Sequence, residues 1–304
     1  MSDGTAAFRC AAAARTRFDP LVGSAPQARG WLLLEHPGPW PIDAVPGSGI
    51  DPGMLSALTG RAVESSTRIL LVRRPGRLAP DAPRRWILVG LDGSTRSGPW
   101  RHDDDLAAAA AALDGDQSAL TDLGPILLVC THGVHDTCCA LRGRPVAAAL
   151  AARWPDQVWE CSHVGGDRFA PNVVVLPDGF YYGNLDPETA VGTVQRHLGG
   201  EVVVEFLRGM ARFPPPVQAA AAAVFDRCGP LGPTDVRVRS VRQVGPHLGH
   251  GSETFVELEL DDGRSARVDV ASVRRPEARL TCRAARDTPA TEYQVEVFEI
   301  RPAD

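Results

Sequence analysis

The sequence predicts an α/β chain in which one element order, β-α-β-β-α, occurs twice and is followed by a small α+β region. Three observations predict this. Short apolar runs alternate with helix-length, alanine-rich segments through the first two regions. Clusters of Pro and Gly separate those runs, as connections require. From Val236 onward apolar and polar residues alternate in the manner of half-buried strands. The resulting division is residues 1–122 for an N-terminal α/β domain, 123–212 for the central domain and 213–304 for the C-terminal α+β region.

In the first region, residues 1–29 read as a poorly ordered arm. WLLLE at 31–35 is a buried strand, and the Pro- and Gly-rich stretch 36–50 is a loop. Asp51-Pro52 starts a helix, with Asp as N-cap and Pro at the first helical position. RILLVR at 68–73 and RWILVGL at 85–91 are strands. Asp103, Asp104 and Asp105 place negative charge before the helix LAAAAAAL, where the helix dipole favours it.

The central region follows much the same order. PILLVC at 125–130 is a strand, and 145–154 is a helix with Pro145 in its first turn and Pro155 ending it. VWEC at 158–161 is a strand, and 173–182 folds into a hairpin around Pro177-Asp178-Gly179. Asp186-Pro187 caps a helix that stops at Gly199-Gly200. The shared order allows both units to be thioredoxin-like, with only the second carrying clustered cysteines. In the third region, 201–206 reads as a strand leaving the central sheet, and three prolines at 214–216 precede the helix VQAAAAAVFDRC. TFVELEL and RSARVDV flank Asp261-Asp262-Gly263, a hairpin signal, and LTCRAA and YQVEVFEI complete the strands.

Apolar residues make up 44% and charged residues 23%, which is the balance of a folded globular chain. The net charge is −5 with no basic run, so neither nucleic acid nor an anionic membrane is the expected partner. All 32 cationic residues are Arg. Nothing resembles a signal peptide or a spanning helix, and the expected compartment is the cytoplasm. Structural disulfides are unexpected there, so an odd number of cysteines (seven) clustered with histidines points to metal or redox chemistry.

The cluster lies in CTHGVHDTCCALRGRP at 130–145 and VWECSHVGGDRFAPNVVVLPDGFYYG at 158–183. Cys130 ends an apolar strand, where open α/β sheets place ligands. Eight residues separate it from Cys139, a loop long enough to wrap a cluster. Cys161 and His163 leave the second strand, and His163 begins His-x-x-x-Asp, ending at Asp167. Gly165 and Gly166 let the backbone approach a bulky group. Cys10, Cys228 and Cys282 read as buried small hydrophobes, with Cys282 an outside candidate for the site. His132 and His135 either bond to cluster sulfur or face water.

These two motifs, with WLLLEHPGPW at 31–40, resemble the sucrase/ferredoxin-like family. The resemblance implies a thioredoxin-like ferredoxin domain with a [2Fe–2S] cluster held by a C-x8-C loop and an H-x3-H pair. Cys130 and Cys139 match the cysteines and His163 the first histidine; Asp167 stands where the family has the second. The fourth ligand is therefore either Cys161, favoured by the softness of its sulfur, or Asp167, favoured by position.

The function this implies is one-electron transfer with mixed Cys/His ligation, serving a redox partner protein, a reductase or an acceptor. An enzyme with its own substrate is the less expected reading, since no nucleophile–base pair or pair of glycosidase carboxylates is evident. Two alternatives use the same residues. A zinc-binding structural module suits Cys and His equally well in donor type. A thiol oxidoreductase would use Cys138 or Cys139, but no C-x-x-C is present.

Overall fold

The structure, a computed structural model, describes residues 7–76, 84–245 and 251–303. Its centre is a nine-stranded mixed sheet built from two units of identical topology. The first contains β1 (Gly30–Glu35), α2 (Pro52–Glu64), β2 (Thr67–Arg73), β3 (Arg84–Gly90), β4 (Thr95–Trp100) and α3 (Ala107–Leu113), preceded by a short helix α1 (Cys10–Thr16). The second contains β5 (Ile126–Cys130), α4 (Thr137–Arg153), β6 (Val158–Cys161), β7 (Val173–Leu176), β8 (Phe180–Tyr182) and α5 (Pro187–Leu198). In each unit the first two strands are parallel and the next two antiparallel. The sheet order β4-β3-β1-β2-β6-β5-β7-β8 is thus one thioredoxin-like order followed by its mirror listing. β9 (Leu207–Met210) closes the far edge beside β8.

In the sheet the two units pair at Val72 with Cys161 and Arg73 with Glu160, antiparallel and at the carboxyl ends of β2 and β6, and the Ser162 N–H donates to the Leu71 carbonyl at 2.8 Å just beyond. A half-buried ion pair between Arg73 and Glu160 at 2.7 Å reinforces this joint, and the Arg73 guanidinium lies over Trp40. Because the strands overlap only at their ends, the loop after β1 reaches the loop after β5.

Side-chain alternation divides the core by sheet face. On one face Leu32, Leu34, Leu71, Trp86 and Leu88 pack under α2 and α3, while Leu127, Val129, Val158 and Val173 pack under α4 and α5. The opposite face forms one continuous layer through both units, from Trp31 and Val72 to Leu128, Cys130 and Cys161. α6 (Pro215–Cys228) packs between β9 and a four-stranded antiparallel sheet made of β10 (Val236–Val244), β11 (Glu253–Leu260), β12 (Ser265–Ala278) and β13 (Thr288–Arg301). The turn at Asp261-Asp262-Gly263 joins β11 to β12 as the hairpin signal requires.

Four expectations need correction. The N-terminal arm is not loose from residue 7 on: α1 buries Cys10, Ala11 and Ala14 although its N-cap, Arg9, makes no side-chain cap. The helix expected at 145–154 begins at Thr137, where the Asp136 carboxylate caps it, and Pro145 lies in its interior. The strand expected at 201–206 is a 3₁₀ turn over Val204–Phe206, with the strand following it. LTCRAA is no strand but part of the connection between β12 and β13. The strand β4 was not anticipated; it makes the two units equal in order.

Candidate metal centre

Cys130 ends the fully buried strand β5, and its N–H donates to the Asn172 carbonyl at 3.0 Å. The chain then turns through 131–136. Asp136 accepts from the Cys138 N–H at 2.8 Å and starts α4, so Cys138 and Cys139 occupy its first turn. The neighbours diverge there: Cys139 points back to Cys130, while Cys138 faces away toward Cys282. Gly143 allows α4 to press on the end of β5, since a Cβ at that position would lie 2.1 Å from the Cys130 carbonyl oxygen.

His163 and Asp167 come from the loop after β6. Gly165 and Gly166 adopt φ of +90° and +74°, the left-handed conformations that turn this loop back. Arg208 of β9, fully buried, holds the turn in place. It donates to the Gly165 carbonyl at 2.8 Å, to Asn172 Oδ1 at 2.9 Å and to the Ser24 carbonyl at 2.6 Å. Asn172 in turn donates to the Gly166 carbonyl at 3.0 Å. Burial pushes the Arg208 pKa down to about 10.

Four of the five residues singled out in the sequence converge. The Cys139 thiol donates to Asp167 Oδ1 at 3.3 Å, and the same oxygen lies 2.9 Å from His163 Nδ1. Cys139 and His163 are near enough to Cys130 to act on its thiol. The hydrogen bond from Cys139 holds the Cys130 thiol well below the usual range, against its burial, and His163 adds to the effect; Cys139 is raised correspondingly. Burial works against an imidazolium at His163, but Asp167 and Cys130 outweigh it and hold the pKa up to about 9. Cys161 is different. It lies in register with Cys130 across the parallel pair, and the thiol that reaches Asp167 is that of Cys139.

His135 is the residue that spacing alone did not place. Its ring stacks on His163 with centroids 3.9 Å apart, and its Nε2 lies 3.7 Å from Asp167. Both imidazoles are 29% exposed, whereas Asp167 is only 4% exposed, so the histidines form the open rim of the site. The loop after β1 completes the wall: the Pro41 carbonyl lies 2.7 Å from His132 Nε2 and the Ile42 carbonyl 3.3 Å from His135 Nδ1. Trp40, the last residue of WLLLEHPGPW, stands edge-on to His132 with ring centroids 5.9 Å apart, so that motif and the cysteine loop meet at one wall.

The donor set fits a metal or an iron–sulfur group. Two thiols, one imidazole and one carboxylate meet at a strand end. The His163 Nδ1 atom is buried and has no hydrogen-bond partner along its N–H direction; the nearby Asp167 oxygen lies off that line. A buried nitrogen whose contact with Asp167 is this poorly aligned is one that ligation would satisfy better.

No curated protein matches the chain. Among solved structures, a thioredoxin-like [2Fe-2S] ferredoxin from Aquifex aeolicus is 24% identical, matching 31% of this chain and 97% of its own length with a TM-score of 0.27. A cysteine-to-serine variant of the thioredoxin-like [2Fe-2S] ferredoxin from the same organism is 26% identical over 28% of this chain and 97% of its own, with a TM-score of 0.25. The sucrase/ferredoxin-like family model matches residues 21–209, which take in both thioredoxin-like units and every residue of the centre just described. On that match, over more than half its length, the chain belongs to the sucrase/ferredoxin-like family.

Proposed function

We propose that this chain is an iron–sulfur redox protein, with Cys130, Cys139, His163 and Asp167 as the residues that would hold a [2Fe–2S] cluster. The observation that carries the reading is the convergence of these four donors from three separate segments, in a family named for ferredoxin. When bound, such a cluster supplies one-electron transfer. The chain's own residues supply the setting. Arg208 and Asn172 fix the His163–Asp167 loop, and Gly143 lets α4 bring Cys139 to Cys130. The contacts of Asp167 with Cys139 and His163 favour it over Cys161 as fourth donor, despite the harder oxygen. Replacing thiolate by imidazole lowers the ligand charge and raises the potential relative to an all-cysteine site. The half-exposed rim of His135 and His163, beside exposed Val134 and Ile42, is the face offered to a redox partner protein.

A single zinc ion is the second reading, and the compactness of the site favours it. The ligand atoms of His135, His163 and Asp167 all lie within 4.8 Å of one another, a spread that one ion can span. Anaerobic purification followed by a visible spectrum with iron and sulfide analysis separates the two. About two irons and two sulfides per chain, in a brown protein, are expected for the cluster. A colourless protein whose zinc depends on Cys130 and Cys139 would overturn it.

A further inference from the structure

A second group of donors lies on the far side of Cys138. Cys10 from α1, Asp136 and Cys138 from the start of α4, and Cys282 from the connection between β12 and β13 bring their ligand atoms within 4.8 Å of one another. Up to 272 residues separate them along the chain, so tertiary structure alone assembles the group. Cys10, Asp136 and Cys138 are buried, and Cys282 is partly so.

We infer that these four side chains form a closed, tetrahedral Cys₃Asp site for one thiophilic divalent ion, zinc by coordination preference. The spacing is the first ground. With zinc–sulfur and zinc–oxygen bonds of about 2.3 and 2.0 Å, a tetrahedron has edges of about 3.8 Å between sulfurs and about 3.5 Å between sulfur and oxygen. Cys138 and Cys282 have their sulfurs 3.5 Å apart, and Cys282 and Cys10 theirs 3.6 Å apart. The Cys10 sulfur is 3.5 Å from each Asp136 oxygen.

The surroundings are the second ground. The Cys10 N–H donates to the Cys282 sulfur at 3.4 Å, and the Cys282 N–H donates to Asp136 Oδ2 at 2.7 Å. Such outer hydrogen bonds orient ligands and stabilise thiolates. Three thiolates and a carboxylate leave a net negative charge on a divalent centre. Arg15 lies close enough to Cys138, and Arg168 to Cys10, for their charges to act on those sulfurs. Arg279 donates to the Cys282 carbonyl. All four ligand positions come from protein side chains, which is the pattern of a structural site.

The ion ties α1 and the β12–β13 connection onto the first turn of α4. That turn presents Cys139 to the other centre, so adjacent residues serve two different sites. Cys10 and Cys282 lie outside the segment that matches the family.

The test is a metal count on full-length protein together with a cobalt(II) titration after chelation. One zinc per chain is expected in addition to any metal at the Cys130 centre. It should fall at least tenfold in the Cys10→Ser, Cys282→Ser double variant and remain in Cys130→Ser. Cobalt should give a tetrahedral thiolate spectrum at one equivalent in wild type and lose it in Cys282→Ser, a change at a partly exposed loop residue that spares the core. If the Cys130 centre itself bound zinc, wild type would carry two ions and the double variant one; the present inference would stand while the iron–sulfur reading fell. No thiolate spectrum with cobalt, a zinc count no lower in the double variant than in wild type, or a metal-free Cys138–Cys282 disulfide found by peptide mapping would overturn it.

Discussion

The two thioredoxin-like units have the same strand order and the same faces buried, yet only one gathers metal-ligand chemistry. In both, the first strand ends at a loop, and an Asp caps the helix that follows: Asp51 for α2 and Asp136 for α4. The difference lies in how tightly the helix approaches. α4 presses Gly143 onto the Cys130 carbonyl and delivers Cys139 to the strand end, whereas α2 is reached through a longer loop and carries no cysteine. Where the second unit has Cys130, the first has Glu35, the last residue of its own first strand and on the same face of the sheet. The first unit is not idle: its loop after β1 supplies Pro41 and Ile42 to the wall of the centre. One fold thus supplies the candidate donors in one copy and part of the surrounding wall in the other.

The largest expected effect breaks this asymmetry at the ligands. Cys139→Ser and Asp167→Asn should each abolish or nearly abolish iron binding, because each removes a donor from the group that converges at the end of β5. Cys161→Ser should keep it, since the thiol that bonds to Asp167 is that of Cys139. Iron content and the visible spectrum measure all three. Iron loss in Cys161→Ser with retention in Asp167→Asn would reverse the ligand assignment.

Next in size is a matched pair of substitutions in the two helices. Gly143→Ala places a Cβ 2.1 Å from a backbone carbonyl that cannot rotate away, so α4 must lift from β5. A destabilisation of about 1–3 kcal/mol or more is expected, as for overpacking in a rigid core. Gly60→Ala, exposed in α2 with nothing near the new methyl group, should instead stabilise by about 0.4–1 kcal/mol through the unfolded state. Denaturant melts of the two variants should move in opposite directions. A smaller but related contrast concerns Arg208. Arg208→Met leaves the Gly165 and Ser24 carbonyls without their buried donor, at a cost of roughly 2 kcal/mol or more. It should also loosen the His163–Asp167 loop, which would appear as faster iron loss to a chelator.

Much of this asymmetry was legible in the sequence, and the part that was not has physical reasons. The apolar run ending at Cys130 and the C-x8-C spacing are local signals, and they identified the strand end and the paired sulfurs. The start of α4 is hidden because Pro145 looks like a first-turn proline; the Asp136 cap nine residues earlier is equally local and is the better signal. α1 gave no signal because seven residues without a side-chain cap do not hold a helix alone. Its order comes from burying Cys10 against residues at the other end of the chain. Arg208 gives no signal for the same reason, and Cys282 stands in the sequence only as an outside candidate for the site: their partners lie tens to hundreds of residues away, and no spacing rule reaches that far. His135 sat within the cysteine loop, but its stacking on His163 depends on two loops meeting.

The smallest effect concerns Glu35, the counterpart of Cys130. Its carboxylate is 8% exposed and accepts from the Arg85 N–H at 3.1 Å. Burial raises its pKa above the ordinary carboxyl value of 4.5; the Arg85 hydrogen bond and the charges of Arg74, Arg85 and Arg84 only partly offset this. A raised acid pKa means that the folded state holds its proton more tightly than the unfolded chain does. The contribution of Glu35 to stability is therefore fully present below the unfolded value and is lost as pH rises through the folded one. Glu35→Gln keeps an acceptor for Arg85 and cannot ionise. The variant should match wild type in acid and melt at a higher temperature near neutral pH, with the difference opening above about pH 4.5. Melting temperatures across a pH series measure it. A variant less stable than wild type at neutral pH would show that the ionised carboxylate is a favourable partner for its arginines, so that the first unit holds a structural charge at the strand end where the second holds Cys130.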